Sequence, residues 1–167
     1  TFATTLLYAA TTLLNSGEPT ATDSLLDVLD SRRDALSSLD DLRWEHLRAR
    51  LDGDGERELR ALREAYSLGP GSRAGYNFAQ TAVEMNRPRE ALATLEQLDP
   101  DRGELRGWAQ YWTQLAHAHH LVGQFDREAA AAREMRNRYP ERRIALVLEV
   151  RARAAEGRID AVQELVS

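Results

Sequence analysis

The stretch from Trp112 to Pro140, WTQLAHAHHLVGQFDREAAAAREMRNRYP, decides the fold class, because one glycine divides it into two helical segments. Residues that pack together recur at helical spacing before Gly123; they are Trp112, Leu115, Ala116, His119 and Val122. After Gly123 an Ala-rich segment runs to Pro140, which cannot continue a helix. Glycine readily takes the left-handed conformation that ends a helix, so the stretch predicts two antiparallel helices joined by a tight turn.

The same turn signal recurs along the whole chain. Residues of this kind are Gly17, Gly53, Asn86, Gly123 and Gly157. Their separations are 36, 33, 37 and 34 residues, and a period in this range is typical of helical repeat arrays. One helix hairpin cannot bury its apolar stripe alone. We therefore expect an all-α, right-handed superhelical solenoid of about five antiparallel hairpins, with a concave face.

The apolar periodicity predicts ten helices in a single domain that covers residues 1–167. The predicted helices are 2–15, 22–37, 39–51, 56–68, 72–85, 88–98, 105–121, 125–138, 142–156 and 159–166. They form hairpin repeats at approximately 2–37, 39–69, 72–100, 105–140 and 142–167. The sequence begins without methionine and enters a helical pattern at once, so we expect it to be part of a longer protein.

Composition excludes several functional classes. The net charge is −5, which argues against a nucleic-acid partner, because such partners require a basic field. All 22 basic residues are arginine, and we attribute this to a G+C-rich bacterial genome. Without cysteine there is no disulfide or thiolate chemistry, and the compartment is left open, with the cytoplasm favoured. The uncharged segment 1–17 is too short to span a bilayer, so we expect no membrane insertion.

Two runs of residues resemble a known repeat motif. They are Tyr76-Asn77-Phe78-Ala79, before Asn86, and the series Trp112, Leu115-Ala116, Gly123-Gln124-Phe125 and Pro140. Both are similar to the tetratricopeptide (TPR) motif, so the chain resembles a bacterial member of the TPR family. The third and fourth repeats match well and the second fairly, whereas the first and fifth match in period and turn glycine alone. Glu58 and Glu128 depart from the motif, because they occupy a slot where a small residue is expected, and the helix register there stays open.

The resemblance implies a protein–protein interaction scaffold, which binds a peptide or protein in the concave groove formed by the first helix of each hairpin, the A helix. The implied groove residues are Arg43, Arg73, Tyr76, Asn77, Gln80, Thr113, Gln114, His117, His120 and Arg151. An amide at Asn77 can donate to and accept from a peptide backbone, or it can bond a neighbouring loop. The three arginines can pair with ligand carboxylates or with acids on their own helices.

The histidine cluster at 117, 119 and 120 raises the question of a metal site. His117 and His120 lie three residues apart, on one side of a helix. A metal requires a third ligand and groups that orient each imidazole, and no neighbour in the sequence supplies them. His119 falls on the packed stripe, so we expect a hydrogen-bonded core residue there. We predict no metal and no cofactor.

No catalytic constellation is present in the sequence, so we predict that the chain is not an enzyme. The alternative to a stand-alone scaffold is an intramolecular regulatory or dimerisation segment of a larger bacterial signalling protein. This alternative, which includes a homodimer through the terminal repeats, is motivated by apolar Leu165 and Val166, which end the array without a polar capping helix. An RNA-binding helical array has a similar period, but the acidic net charge disfavours it.

Overall fold

The computed structural model describes residues 2–166, so the predicted domain limits Thr1 and Ser167 lie outside the described residues. The regular secondary structure of residues 2–166 is helical throughout, which confirms the all-α prediction. The helices are α1 (Phe2–Asn15), α2 (Pro19–Asp30), α3 (Ser38–Asp52), α4 (Gly55–Leu68), α5 (Ala74–Glu84), α6 (Pro88–Leu95), α7 (Gln110–Leu121), α8 (Phe125–Arg138), α9 (Ile144–Ala155) and α10 (Ile159–Val166). None of these helices is both long and apolar enough to cross a membrane.

All five predicted turn residues adopt the left-handed conformation. Their φ angles are 78° at Gly17, 73° at Gly53, 59° at Asn86, 75° at Gly123 and 72° at Gly157. At Gly123 the amide of Gln124 donates to the carbonyl of His119 at 2.9 Å, and the Gly123 amide donates to His120 at 3.0 Å. This pair of bonds satisfies carbonyls that the end of α7 would otherwise leave unpaired. The turn prediction is confirmed at every position.

The predicted second helix, 22–37, is wrong at both ends. The helix α2 begins at Pro19, because proline has the φ angle of a first helical turn and lacks only an N–H that would be unpaired there. It ends at Asp30, and a short 3-10 turn at Arg33–Ala35 follows. The hydroxyl of Ser37 then accepts a bond from the amide of Asp40 at 3.1 Å and caps α3.

The predicted helices 88–98 and 105–121 are also too long. The helix α6 ends at Leu95, and a 3-10 turn occupies Gly103–Leu105. Gly107 then takes a φ of 74°, which is incompatible with a continuous right-handed helix. The helix α7 therefore begins at Gln110.

The chain divides into two compact units, Thr1–Thr81 (unit 1) and Ala82–Ser167 (unit 2). In unit 1, α1 packs on α2, and α3 packs on α4, α1 and α2. The buried side chains of one cluster come from α1, α2 and α3; they are Leu7, Ala10, Leu26, Leu29, Trp44 and Leu47. The indole N–H of Trp44 donates to the carbonyl of Leu26 at 2.9 Å, so this tryptophan is a core residue.

In unit 2, α8 packs between α7 and α9, and α10 packs on α9. The core of this unit is built of small residues around Met135 and Leu148, with Trp112, Leu115 and Tyr139 at its edge. Small side chains allow the helices to approach closely, and α7 also contacts α9 directly. The A helices α7 and α9 are therefore neighbours, with α8 packed against both.

Candidate protein-binding site

One side of α7 presents polar residues of the predicted site. Thr113, His117 and His120 are spaced i, i+4 and i+7, and Gln114 lies beside them. All four are half-buried. The hydroxyl of Thr113 contacts the sulfur of Met135 at 3.5 Å, toward the core. The side-chain amide of Gln114 makes no hydrogen bond to any residue between 2 and 166.

Glu128 of α8 brings three predicted site residues together. Its side chain is fully buried, with 0 % exposed. The Nε of Arg151 donates to Oε1 at 2.6 Å, with Nη2 of the same guanidinium 2.5 Å from that oxygen. The Nδ1 of His120 donates to Oε2 at 2.7 Å, because a carboxylate only accepts. The Nη1 of Arg151 lies 3.5 Å from Nδ1 of His117.

This cluster affects the charge of the histidines. The pKa of His117 lies below its ordinary value, chiefly because burial opposes the charged form, and next because the Arg151 cation repels a second positive charge. The positive charge of Arg151 is itself paired with Glu128. At neutral pH the cluster is thus one buried ion pair with a neutral His117 beside it.

A second cluster of this kind lies in unit 1. Glu58 of α4 is 4 % exposed and accepts from Nη1 of Arg50 at 3.2 Å and from the hydroxyl of Thr81 at 3.1 Å. The Nδ1 of His46 is 3.7 Å away. Burial alone raises the pKa of Glu58, but His46 and Arg50 outweigh it and the pKa is lowered.

The two clusters occupy equivalent positions. Glu58 and Glu128 each lie five residues after a turn glycine and each receive a bond from the residue 23 positions later. The residues concerned are Gly53, Glu58 and Thr81 in unit 1 and Gly123, Glu128 and Arg151 in unit 2, and each pair is 70 residues apart in the sequence. The register left open at both glutamates is resolved: the glutamate itself takes the buried position of the small residue.

The predicted site residues of unit 1 have different surroundings. Arg43 pairs with Asp40 at 3.4 Å and lies 5.6 Å from the centre of the Tyr8 ring, so it faces α1. Tyr76 is only 9 % exposed and belongs to the core. Arg73 is exposed and precedes α5, whereas Asn77 and Gln80 are half-buried on it. Within residues 2–166 the side chain of Asn77 has no hydrogen-bond partner.

His119 confirms the prediction of a hydrogen-bonded core residue. It is buried, and its Nδ1 lies 2.9 Å from Oε1 of Gln124. Burial lowers its pKa. In the part of the chain that the structure describes, no group of three or more metal-ligating side chains is arranged to hold an ion.

Sequence reasoning missed two features of the site. The first is the role of Glu58 and Glu128, whose only sequence signal is an acid in a slot for a small residue. The second is an exposed apolar pair on α9, Ile144 at 42 % and Val147 at 58 %. Their spacing from Arg151 is i, i+3 and i+7, which places all three on one stripe of α9. That spacing is visible in the sequence and could have identified the pair.

Comparison with known proteins finds matches among solved structures. MamA from Desulfovibrio magneticus RS-1 (residues 41 to the end) superimposes with a TM-score of 0.73 at 16 % identity, over 98 % of this chain and 90 % of that one. The TPR-like repeats of a Podosopora anserina putative kinesin light chain give 0.72 at 18 % identity, over 97 % and 90 %. No family model and no curated protein matches the sequence. The chain therefore has the fold of TPR-like helical repeats, as its sequence predicted.

Proposed function

We propose that this chain is a non-catalytic scaffold that binds a segment of another polypeptide on the A helices of unit 2. The surface, named here the α7–α9 face, consists of Gln114, His117 and His120 of α7 with Ile144, Val147 and Arg151 of α9. The A helices of a TPR-like hairpin array are the elements from which the sequence predicted a groove. In this chain, α7 and α9 pack directly against each other.

The exposed pair Ile144 and Val147 carries the proposal. Two large apolar side chains, about half exposed, lie on the helical stripe that leads to Arg151. Apolar groups rimmed by polar groups mark interaction surfaces, because their burial is favourable only when a partner covers them. Polar groups of α7 meet this stripe at Arg151, whose Nη1 lies 3.5 Å from Nδ1 of His117. On the same helix the Gln114 amide has no hydrogen-bond partner within residues 2–166.

A peptide library tests this proposal. The probe is an unbiased library of peptides of about ten residues with blocked termini, which extend to about 33 Å and so span the face. We expect Val147→Glu to abolish capture of the peptides that the unmodified protein selects. The matched control is Val28→Glu on α2, because Val28 is 47 % exposed and lies in unit 1. Equal capture by both variants, or a library without binders, contradicts the proposal.

The five predicted residues of unit 1 remain part of the proposal in a narrower form. The side chain of Asn77 is half-buried and unpaired within residues 2–166, so it is available to a peptide backbone. Arg43 and Tyr76 are held by α1 and by the core, and we assign them a supporting role. A peptide whose capture is lost with Asn77→Ala, but kept with Val147→Glu, would place the binding surface in unit 1 instead.

One observation favours the alternative of association through a terminal repeat. The helix α10 has no buried residue, and Ile159 and Val166 are among the most exposed large apolar side chains of the chain. A second copy that covers them would form a homodimer. Sedimentation equilibrium across a wide concentration range tests this, with Ile159→Glu as the variant that should remain monomeric throughout. A monomer at every concentration for the unmodified chain contradicts it.

A further inference from the structure

The ion pair of Glu128 and Arg151 fixes the proton positions of two imidazoles. An arginine side chain has only donors, so Nδ1 of His117, 3.5 Å from Nη1 of Arg151, is an acceptor and the ring proton lies on Nε2. A carboxylate has only acceptors, so Nδ1 of His120, 2.7 Å from Glu128, carries the ring proton and Nε2 is bare. The two histidines are therefore held in opposite tautomers.

Both Nε2 atoms are available to a ligand. Neither makes a hydrogen bond to a residue within 2–166, and neither is a buried unpaired atom. The α7–α9 face thus offers one N–H donor, from His117, and one bare nitrogen acceptor, from His120. The two residues are three apart on one helix, which places their Cβ atoms about 5–6 Å apart.

We propose that His117 and His120 bind the main chain of an extended partner segment, with His117 donating to a peptide carbonyl and His120 accepting from a peptide N–H. This rests on the proposed function of the α7–α9 face, and it specifies the chemistry that the face recognises. Gln114, with an unpaired amide on the same helix, extends the row to about 9 Å along α7. A row of that length spans about three residues of an extended chain.

A carboxylate ligand does not fit this arrangement. The bare Nε2 of His120 has a lone pair and no proton, so it repels a group that can only accept. The nearest cation, Arg151, directs Nε and Nη2 at Glu128 and Nη1 at His117. A peptide main chain has both a donor and an acceptor, repeated at every residue, so it satisfies both imidazoles without a change of protonation.

The proposal fixes the sign of the pH dependence. The groups that face His120 are His117 on its own helix, Glu128 and the Phe125 ring on α8, and Arg151 on α9. When His120 takes up a proton, its Nε2 becomes a donor and loses the peptide N–H as a partner. Binding of a peptide main chain therefore weakens on acidification, whereas binding of a carboxylate would strengthen.

Nitrogen NMR of the histidine rings tests the tautomers on the full chain without any ligand. At about pH 7.5, where an unperturbed imidazole is neutral, we expect protonated Nε2 for His117 and protonated Nδ1 for His120. With Glu128→Gln, the His120 assignment should become mixed, because an amide both donates and accepts. Glu58→Gln is the matched control, equally buried in unit 1, and should leave both tautomers unchanged. The reverse tautomers in the unmodified protein overturn the proposal.

The second arm uses the tightest peptide selected from the blocked library. Lowering the pH from about 7.5 to about 5.5 should weaken its binding, because a protonated imidazole cannot accept a bond from a peptide N–H. An ester analogue lacking one backbone N–H should lose about three- to tenfold at one or two positions only. Tighter binding at the lower pH overturns this proposal while leaving the proposed function intact. A library without binders to the face overturns both.

Discussion

Glu58 and Glu128 occupy equivalent positions in two helix hairpins, but the residues that bond to them differ. In unit 1 the glutamate accepts bonds from Arg50 and Thr81, and the buried imidazole of His46 lies 3.7 Å away. In unit 2 the glutamate bonds His120 and Arg151, and the half-buried His120 keeps a second nitrogen without a hydrogen-bond partner within residues 2–166. The position is therefore structural in both units, and on our proposal the glutamate of unit 2 also orients the histidines of a binding surface.

The largest expected difference between the two positions is in stability. Glu128→Ala removes the counter-ion of Arg151, whose buried Nη2 has no other partner within residues 2–166. Breaking a buried ion pair on one side leaves an uncompensated charge, and we expect a loss of about 3 kcal/mol in the free energy of unfolding. Glu58→Ala should cost about 2 kcal/mol, because the buried Thr81 hydroxyl loses the bond that it donates to Glu58.

Urea denaturation of the two variants measures both values. A cost for Glu58→Ala that equals or exceeds the cost for Glu128→Ala would show that the Glu128–Arg151 ion pair does not contribute more to stability than the bonds of Glu58. The double variant Glu128→Leu with Arg151→Met gives a further control. It removes both charges, so it should recover most of the loss of Glu128→Ala if the unpaired cation is the cause.

The next largest expected difference between the two units is the loss of stability at mildly acidic pH. Burial lowers the pKa of His117, with Arg151 adding to the effect, and burial also lowers the pKa of His119. On unfolding, both imidazoles return to a pKa of about 6.5, so the unfolded state binds more protons at mildly acidic pH. Unit 2 should therefore lose stability as the pH falls below about 6.5. The double variant His117→Gln with His119→Gln should remove this loss.

Unit 1 should respond only at lower pH. His46 and Arg50 hold the pKa of Glu58 below its ordinary value against the opposing effect of burial. Its contribution is present above the unfolded pKa of about 4.3 and is lost as the pH falls through the folded pKa. Amide hydrogen exchange at about pH 5.5, corrected for the intrinsic rate, should accelerate in α7, α8 and α9 but not in α3 and α4. Equal acceleration in both sets of helices would contradict the assignment of the acid response to His117 and His119.

The turn glycines test how far the equivalence of the two hairpins extends. Gly53 and Gly123 have φ angles of 73° and 75°, and a Cβ at either position would meet no atom within 4 Å. Alanine there costs only backbone strain, so Gly53→Ala and Gly123→Ala should each lose about 1 kcal/mol. Thermal unfolding should give the same shift for both. A difference larger than the measurement error would show that the two turns carry different strain.

The same turns explain which parts of the fold the sequence predicts. A left-handed residue after a helix has a local signature, so Gly17 and Asn86 identify helix ends without knowledge of any distant residue. The helix prediction was wrong for residues 31–37 because Leu36 continues the apolar spacing of α2. No local sequence feature marks the end of this helix at Asp30. Gly107 is a local signal of the same kind, but the predicted helix 105–121 ran through it.

The site was predictable where it depends on helical spacing and not where it depends on distant pairs. His117 and His120 follow from the repeat motif and their spacing on α7. The partner of Glu128, by contrast, is Arg151, 23 residues away on another helix, and no periodicity connects the two. A glutamate among alanines was therefore read as a departure from the motif, although it is the residue that organises the cluster.

The smallest expected effect concerns the arginines one position before these glutamates, which again are 70 residues apart in the sequence. Arg57 bonds both Glu45 at 2.5 Å and Asp52 at 2.9 Å, whereas Arg127 makes a single pair with Glu96 at 3.0 Å at a more exposed site. Surface pairs are worth little unless several charges combine. Arg57→Gln should therefore cost about 1 kcal/mol and Arg127→Gln less than about 0.5 kcal/mol in urea denaturation.

The salt dependence shows whether charge or packing causes the larger cost of Arg57→Gln. If the two bonds of Arg57 act as a charge network, its cost should shrink in about 1 M salt, where the screening length is about 3 Å. If the packing of its stem on α3 dominates, the cost should persist at high salt. A cost that persists at high salt would mean that the two hairpins differ in side-chain packing. The surface charges at these two positions would then contribute little to the free energy of unfolding.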